Sequence, residues 1–228
     1  MSGRTRWLVV MAFVASMAWV EAAVVAYLRI LIDRTEPYQP DPLPLVGGLG
    51  GTELIREAAT LLMLLAIGIL AGKTWRSRLG FAAAAFGAWD LLYYGFLRVI
   101  TGWPNSLLDW DVLFLLPLPW WGPVAAPAAI AVLMLAGGTL FALDDSRAGS
   151  YSSGRFSWAL ALGGAALALY CFMADAMAAA GEGTLAIRRS LPVEFQWPVF
   201  LIAWALLSAP VVHMTRDLSL RRRASSAG

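Results

Sequence analysis

Six stretches of this sequence stay apolar for about the length of a bilayer crossing. They run from about Trp7 to Ile32, Glu53 to Gly72, Leu79 to Ile100, Gly122 to Leu143, Phe156 to Ala178 and Phe195 to Met214. A helix rises ~1.5 Å per residue, so about 20 such residues span the ~30 Å hydrocarbon core. Within lipid every backbone N–H and C=O needs an internal partner, which leaves helices and closed barrels. Runs of this length exceed the ~9–11 residues of a barrel strand. The expected fold is therefore all-α, a polytopic helical membrane protein of about six transmembrane helices. Residues 1–228 form a single integral membrane domain, and 215–228 a basic cytoplasmic tail. Charge is scarce, 14% of the chain at mean hydropathy +0.68, against about 25% in soluble domains. That scarcity leaves no room for a sizeable soluble domain. A cleaved signal peptide is the alternative for the first run, with small residues near Ala15 to Ala18. The run is longer than the roughly 7–15 residues of a signal-peptide core, which favours a retained helix.

The connecting segments carry the orientation. Lys and Arg gather on the cytoplasmic side of multi-pass proteins. With both termini cytoplasmic, the inner segments hold Arg4, Arg6, Lys73, Arg76, Arg78, Arg147, Arg155, Arg216 and the run Arg221 to Arg223, eleven of the 17 basic residues. The outer loops hold Arg34, Arg188 and Arg189. This asymmetry fits an even number of spans in a cell inner membrane. Trp103, Trp110, Trp120, Trp121 and Trp197 then fall at the outer interface, and Trp7, Trp75 and Trp158 at the inner one, as an aromatic belt requires. The Ala-, Arg- and Trp-rich, Lys-poor composition fits a high-GC bacterial genome.

Phe86 to Pro127 departs from this regularity. It carries Asp90, Arg98, Asp109 and Asp111, and is interrupted by Pro104, Pro117, Pro119, Pro123 and Pro127. A charge at membrane depth costs roughly 2.5–3.5 kcal/mol on insertion scales. Irregular backbone there needs protein or a water-filled cavity around it. Asp111 to Trp121 is too short and too broken to cross, so a Pro-rich re-entrant or interfacial segment, or the bent start of the fourth helix, is expected before that span.

The remaining charges converge on the outer half of the bundle. Glu21 and Asp90 lie near the middles of the first and third spans, each followed eight residues later by an arginine, Arg29 and Arg98. The echo of YLRIL at Tyr27 to Leu31 in FLRVI at Phe96 to Ile100 is either an internal repeat or a chance likeness of apolar helices. Glu53, Arg56 and Glu57 share one face at the start of the second span by their spacings of three and four. Asp175 and Glu194 add acids at outer helix ends, and Tyr93 and Tyr94 sit one turn from Asp90. The expected ligand or ion site comprises Glu21, Arg29, Arg56, Glu57, Asp90, Tyr94, Arg98 and Asp111, with the Pro-rich segment capping or gating it.

Three readings of that cluster stay open. Buried ion pairs, Glu21 or Glu57 with Arg29 and Asp90 or Glu57 with Arg98, would set helix register. A site open to the outer face would bind or transport a cation, proton or small polar ligand. Carboxylates without Cys or His partners suit hard cations rather than zinc or copper, while arginines suit an anionic group. An intramembrane lipid-modifying enzyme would use a carboxylate as acid or base, but no nucleophile motif supports it. The sequence holds no P-loop, GxGxxG, HExxH or GxSxG, and Lys73 is its only lysine. Cys171 and His213 stand alone, which excludes thiolate clusters and multi-histidine centres within the chain. No metal site is expected, and the sequence does not specify a cofactor. The partner is the lipid bilayer, not nucleic acid, since the net charge is only +2. Small-residue runs at Ala82 to Ala85 and Gly163 to Ala166 fit close helix packing in one bundle, a homo-oligomer or a larger membrane complex, in which the chain would be an accessory subunit.

Overall fold

The computed structural model describes residues 1–40, 49–144 and 154–226. The polar loop with Arg147 lies outside the described residues, as does part of the Pro- and Gly-rich loop after the first span. The elements are α1 (Gly3–Leu31), α2 (Leu49–Ala71), α3 (Trp75–Thr101), a β-hairpin of β1 (Trp110–Phe114) and β2 (Trp120–Pro123), α4 (Ala125–Asp144), α5 (Arg155–Ala179), a short α6 (Thr184–Arg189) and α7 (Trp197–Ser226). Five helices, α1, α2, α4, α5 and α7, are long and apolar enough to cross a membrane, and the chain is a multi-pass helical membrane protein. Helix α3 is 27 residues long but more polar, with Asp90, Tyr93 and Tyr94 near its middle. It packs against α1, α2 and α4, so its polar side chains meet protein.

Local chemistry sets the helix ends. Ser2 caps α1 by accepting the Thr5 N–H at 3.1 Å. Thr74 and Ser77 form a reciprocal capping box that starts α3 directly after α2. Gly102, at φ 80°, closes α3 in the left-handed conformation that glycine adopts without a Cβ penalty.

Side-chain contacts fix the helix directions. Arg6 of α1 donates to the Ala71 carbonyl at the end of α2, and Trp7 Nε1 donates to Thr139 Oγ1 of α4 at 3.0 Å. Gly80 lies against Ala142 and Gly87 against Ala131, so α3 and α4 run antiparallel with their backbones close. Gly164 lies against Ala203 and Leu207 while Phe172, further along α5, meets Phe200 at 5.9 Å, so α5 and α7 are antiparallel too. Trp204 Nε1 donates to the Ala129 carbonyl at 3.1 Å and Gly137 meets Val211, so α7 runs parallel to α4. Glycine at these crossings lets helices approach without a hydrophobic driving force.

The Pro-rich segment is the two-stranded antiparallel hairpin, not a bent start of α4. Asp111 pairs with Gly122 and Val112 with Trp121, with an irregularity between Val112 and Phe114. Its prolines fall where a missing N–H does no harm: Pro117 and Pro119 between the strands, Pro123 at the end of β2, and Pro127 in the first turn of α4. The hairpin is enclosed by protein, with Asp111 and Trp121 each 1% exposed. Tyr38, from the segment after α1, stacks on Trp110 and donates its hydroxyl to the Pro192 carbonyl at 2.6 Å, strapping the hairpin to the stretch before α7.

The segment between the fifth and sixth spans contains α6. The basic tail continues α7 as helix to Ser226. Leu, Arg and Ala are good helix formers, and no Gly or Pro interrupts residues 211–223.

Candidate functional site

A cavity of about 550 Å³ lies between the α1–α2–α3 group, the hairpin and the α4–α5–α7 group. Its polar wall is built from several elements. Helix α1 buries one face at three- and four-residue spacing, including Val14, Ala18, Glu21, Ala22, Val25 and Arg29. Glu21 and Arg29 therefore both point inward, but eight residues turn a helix by roughly 80° beyond two full turns. They reach different neighbours.

Glu21 pairs with Arg56 of α2, which also pairs with Glu53 one turn earlier. Thr60 Oγ1 donates to the second oxygen of Glu21 at 3.1 Å. Arg29 Nη2 donates to Asp111 Oδ1 of β1 at 2.8 Å, and its guanidinium lies 4.2 Å from the Trp103 ring centroid. The Tyr94 hydroxyl donates to Asp111 Oδ2 at 3.2 Å, and the Val112 N–H to Asp111 Oδ1 at 2.9 Å. Asp111 is thus fully hydrogen-bonded. Both oxygens of Glu57 accept the Leu115 N–H, at 3.0 and 3.2 Å, just beyond β1.

Asp90 differs from all of these. It is 8% exposed, it lines the cavity, and its Oδ2 makes no hydrogen bond. A buried carboxylate oxygen without a donor is costly. The cavity lining holds five carboxylates, Glu21, Glu53, Glu57, Asp90 and Asp111, against three guanidinium groups, Arg29, Arg34 and Arg56. Carboxyl groups thus outnumber guanidinium groups in the lining, and Arg29 and Arg56 are already committed to acids.

Of the residues expected at the site, Glu21, Arg29, Arg56, Glu57, Asp90, Tyr94 and Asp111 line the cavity. Arg98 does not. It is exposed at the end of α3, where it donates to the Gly102 carbonyl, the Pro104 carbonyl at 2.8 Å and Asn105 Oδ1 at 3.2 Å. Neither expected partner of Arg98 reaches it, and Arg29 meets Asp111 rather than Glu21 or Glu57. Asp109 accepts the N–H groups of Asn105 and Ser106 at 2.7 and 3.2 Å and shapes the turn before β1. Asp175 and Glu194 are not in the lining. Thr60 and Trp89 belong to it without having been expected. Thr60 was findable, because it follows Glu57 by three residues and Glu53 by seven on one helix face.

The opposite wall is apolar. It is formed by Phe114 and Trp120 of the hairpin, Ile130 and Met134 of α4, Ala168, Leu169 and Phe172 of α5, and Leu207 of α7. No sequence pattern marked these residues, because a cavity-facing Leu and a lipid-facing Leu read alike. Among the described residues no group of three or more His, Cys, Asp or Glu is arranged to hold a metal ion. The polar and apolar walls line one and the same cavity. Compared with family models, with curated proteins and with solved structures, the chain matches none.

Proposed function

We propose that this protein crosses the cell inner membrane six times, with both termini cytoplasmic, and binds a cationic ligand in the cavity at the outer end of the bundle, for transport or presentation. Asp90 carries this reading: a buried carboxylate oxygen with no donor, on a cavity whose acids outnumber its arginines. A ligand cation would supply the missing partner. An anion would have to displace Asp111 from Arg29, or Glu21 and Glu53 from Arg56. The orientation rests on the basic residues of the α2–α3 turn and the start of α1, which lie at the end of the bundle away from the cluster.

A second reading, a structural subunit of a larger complex, draws on the closed ion pairs of Glu21 and Asp111. Thermal unfolding in phosphatidylcholine nanodiscs separates the two, using wild type and Asp90→Asn across inorganic and organic cations. A ligand at 100 times its Kd stabilises the folded state by about 2.7 kcal/mol. The expected result is a rise in Tm with an organic cation in the wild type and none in Asp90→Asn, whose own fold is intact by circular dichroism. Equal, unresponsive melting of both forms would favour the subunit reading.

A further inference from the structure

We infer that the ligand is an amphiphilic amine, its protonated head against Asp90 and its apolar body along the α4–α5–α7 wall. This inference rests on the cationic-ligand reading above and specifies the class of molecule.

Volume is the first argument. About 550 Å³ lies within the roughly 300–1,000 Å³ of sites that hold drug-sized molecules. A bare inorganic ion or a proton would touch only a small part of that lining, whereas a molecule with an apolar body can make dispersion contacts along it.

The arrangement of the walls is the second. Asp90 lies eleven residues before the end of α3 and Glu21 ten before the end of α1. On the far wall, Met134 lies nine residues into α4 and Leu207 ten into α7. At the helical rise all four sit ~13–17 Å from the hairpin end of the bundle. Charge and apolar surface therefore face each other across the cavity at one depth. A small polar solute would leave the alkyl and ring surface of the far wall uncovered, and an alkane would desolvate the acids. A molecule with one face of each kind satisfies both.

Aromatic rings are the third argument. Tyr93 stacks on Trp89 at 6.0 Å between centroids, Trp89 meets Phe86 at 5.5 Å, and Phe86 stacks on Phe114 at 6.4 Å. Phe114 meets Trp120 at 5.2 Å, and Trp120 stacks on Phe172 at 6.3 Å, nearly parallel. All six rings line the cavity. They form a continuous path from the helix turn that holds Asp90 to the apolar wall. Ring faces attract ammonium groups and accept alkyl surface equally well. An N–H-bearing ammonium can pair with the Asp90 carboxyl group where that residue lines the cavity, while its substituent follows the rings.

The test uses the full chain in phosphatidylcholine nanodiscs, with methylamine, butylamine, hexylamine and hexanol as probes, read by tryptophan fluorescence and Tm. Variants are Asp90→Asn, Asp90→Glu and Ile130→Trp, the last filling the apolar wall. Because the bilayer takes up each probe alike in all forms, the quantity read is the difference between wild type and variant. Measured against Ile130→Trp, wild type should gain about fourfold in affinity per added methylene from butylamine to hexylamine. Asp90→Asn should weaken hexylamine at least tenfold and leave hexanol unchanged. Asp90→Glu should retain amine binding. Ile130→Trp should remove the chain-length gain and spare methylamine. If methylamine binds as tightly as hexylamine, the cationic reading stands and the amphiphile inference falls. If hexanol matches hexylamine and Asp90→Asn changes neither, or if no form responds to any amine, the cationic reading falls with it. Competition by added phosphatidylethanolamine supports a lipid amine as the natural head, and its absence supports a free amine. Both outcomes keep the head chemistry.

Discussion

Arg29 and Asp111 meet at 2.8 Å with side chains only 10% and 2% exposed, so each is the other's compensation for leaving water. Removing one partner of a buried pair costs roughly 3–5 kcal/mol, because the other charge remains buried alone. Arg29→Ala should therefore destabilise the fold by about that amount. Arg29→Ala with Asp111→Ala should cost less than the two single changes summed. A double-mutant cycle in SDS unfolding titrations checks this, and strict additivity would show that the pair is not coupled. Asp90 should behave in the opposite way. Its Oδ2 has no donor, so Asp90→Asn removes a buried charge without breaking a pair. Unligated Asp90→Asn should unfold at the same SDS fraction as wild type or at a higher one, while losing the cation response. A large loss of stability would mean that Asp90 is held by contacts that matter to the fold. The residue scale also shows what a sequence can convey. Depth was legible: Glu21, Arg29, Glu57 and Asp90 all reach one cavity, since helix rise converts residue count to distance. Pairing was not. The same eight-residue step that separates Glu21 from Arg29 separates Asp90 from Arg98, yet Arg29 turns towards the hairpin and Arg98 towards the end of its own helix. Which neighbour stands roughly 80° round a helix depends on tertiary packing, and no spacing records it.

At the scale of elements, the glycines separate those that touch a neighbour from those that do not. A Cβ at Gly164 would lie 2.8 Å from the Ala203 carbonyl oxygen and 2.9 Å from Leu207, whereas a Cβ at Gly163 meets nothing within 4 Å. These adjacent residues of α5 should respond in opposite ways to one methyl group. Gly163→Ala should be neutral or stabilise by up to about 0.5–1 kcal/mol, the helix-propensity gain of Ala over Gly. Gly164→Ala should push α5 from α7 and destabilise by more than that gain. Tm values of the two variants in one detergent decide it, and equal shifts would remove the crossing from the account. The run from Gly163 to Ala166 was visible as a close-packing surface, but which glycine faces α7 was not. Five of the helices were legible from hydropathy because lipid imposes length and apolarity together. The strands were not. Val112, Phe114, Trp120 and Trp121 suit a strand as well as any apolar segment, and the prolines between them signalled only that a helix must stop.

Across the whole molecule, the hairpin joins the ionic and apolar halves. Its β1 side is held by Arg29 of α1, Tyr94 of α3 and Glu57 of α2. Its β2 side lies on α5, where Trp120 stacks on Phe172 and Gly122 packs against the same ring, leaving no room for a Cβ. Phe114 and Trp120 of this element line the cavity. The Glu57 carboxylate ties it to α2 by accepting the Leu115 N–H. A hydrogen bond to a charged group contributes about 1.5–3 kcal/mol, and amide exchange reads such a bond locally. Glu57→Ala should accelerate exchange at Leu115 by roughly 10- to 100-fold if that bond alone limits opening. The Asn105 amide, which donates to Asp109 at 2.7 Å within its own turn, should be unaffected. Glu57→Gln keeps an acceptor oxygen and should fall between wild type and Glu57→Ala. If instead all amides of the hairpin accelerate together, the element opens as one body and Glu57 serves as its latch. If Leu115 exchanges at the wild-type rate in Glu57→Ala, the strand is held by the Arg29–Asp111–Tyr94 group without help from α2, and the hairpin belongs mechanically to α1 and α3.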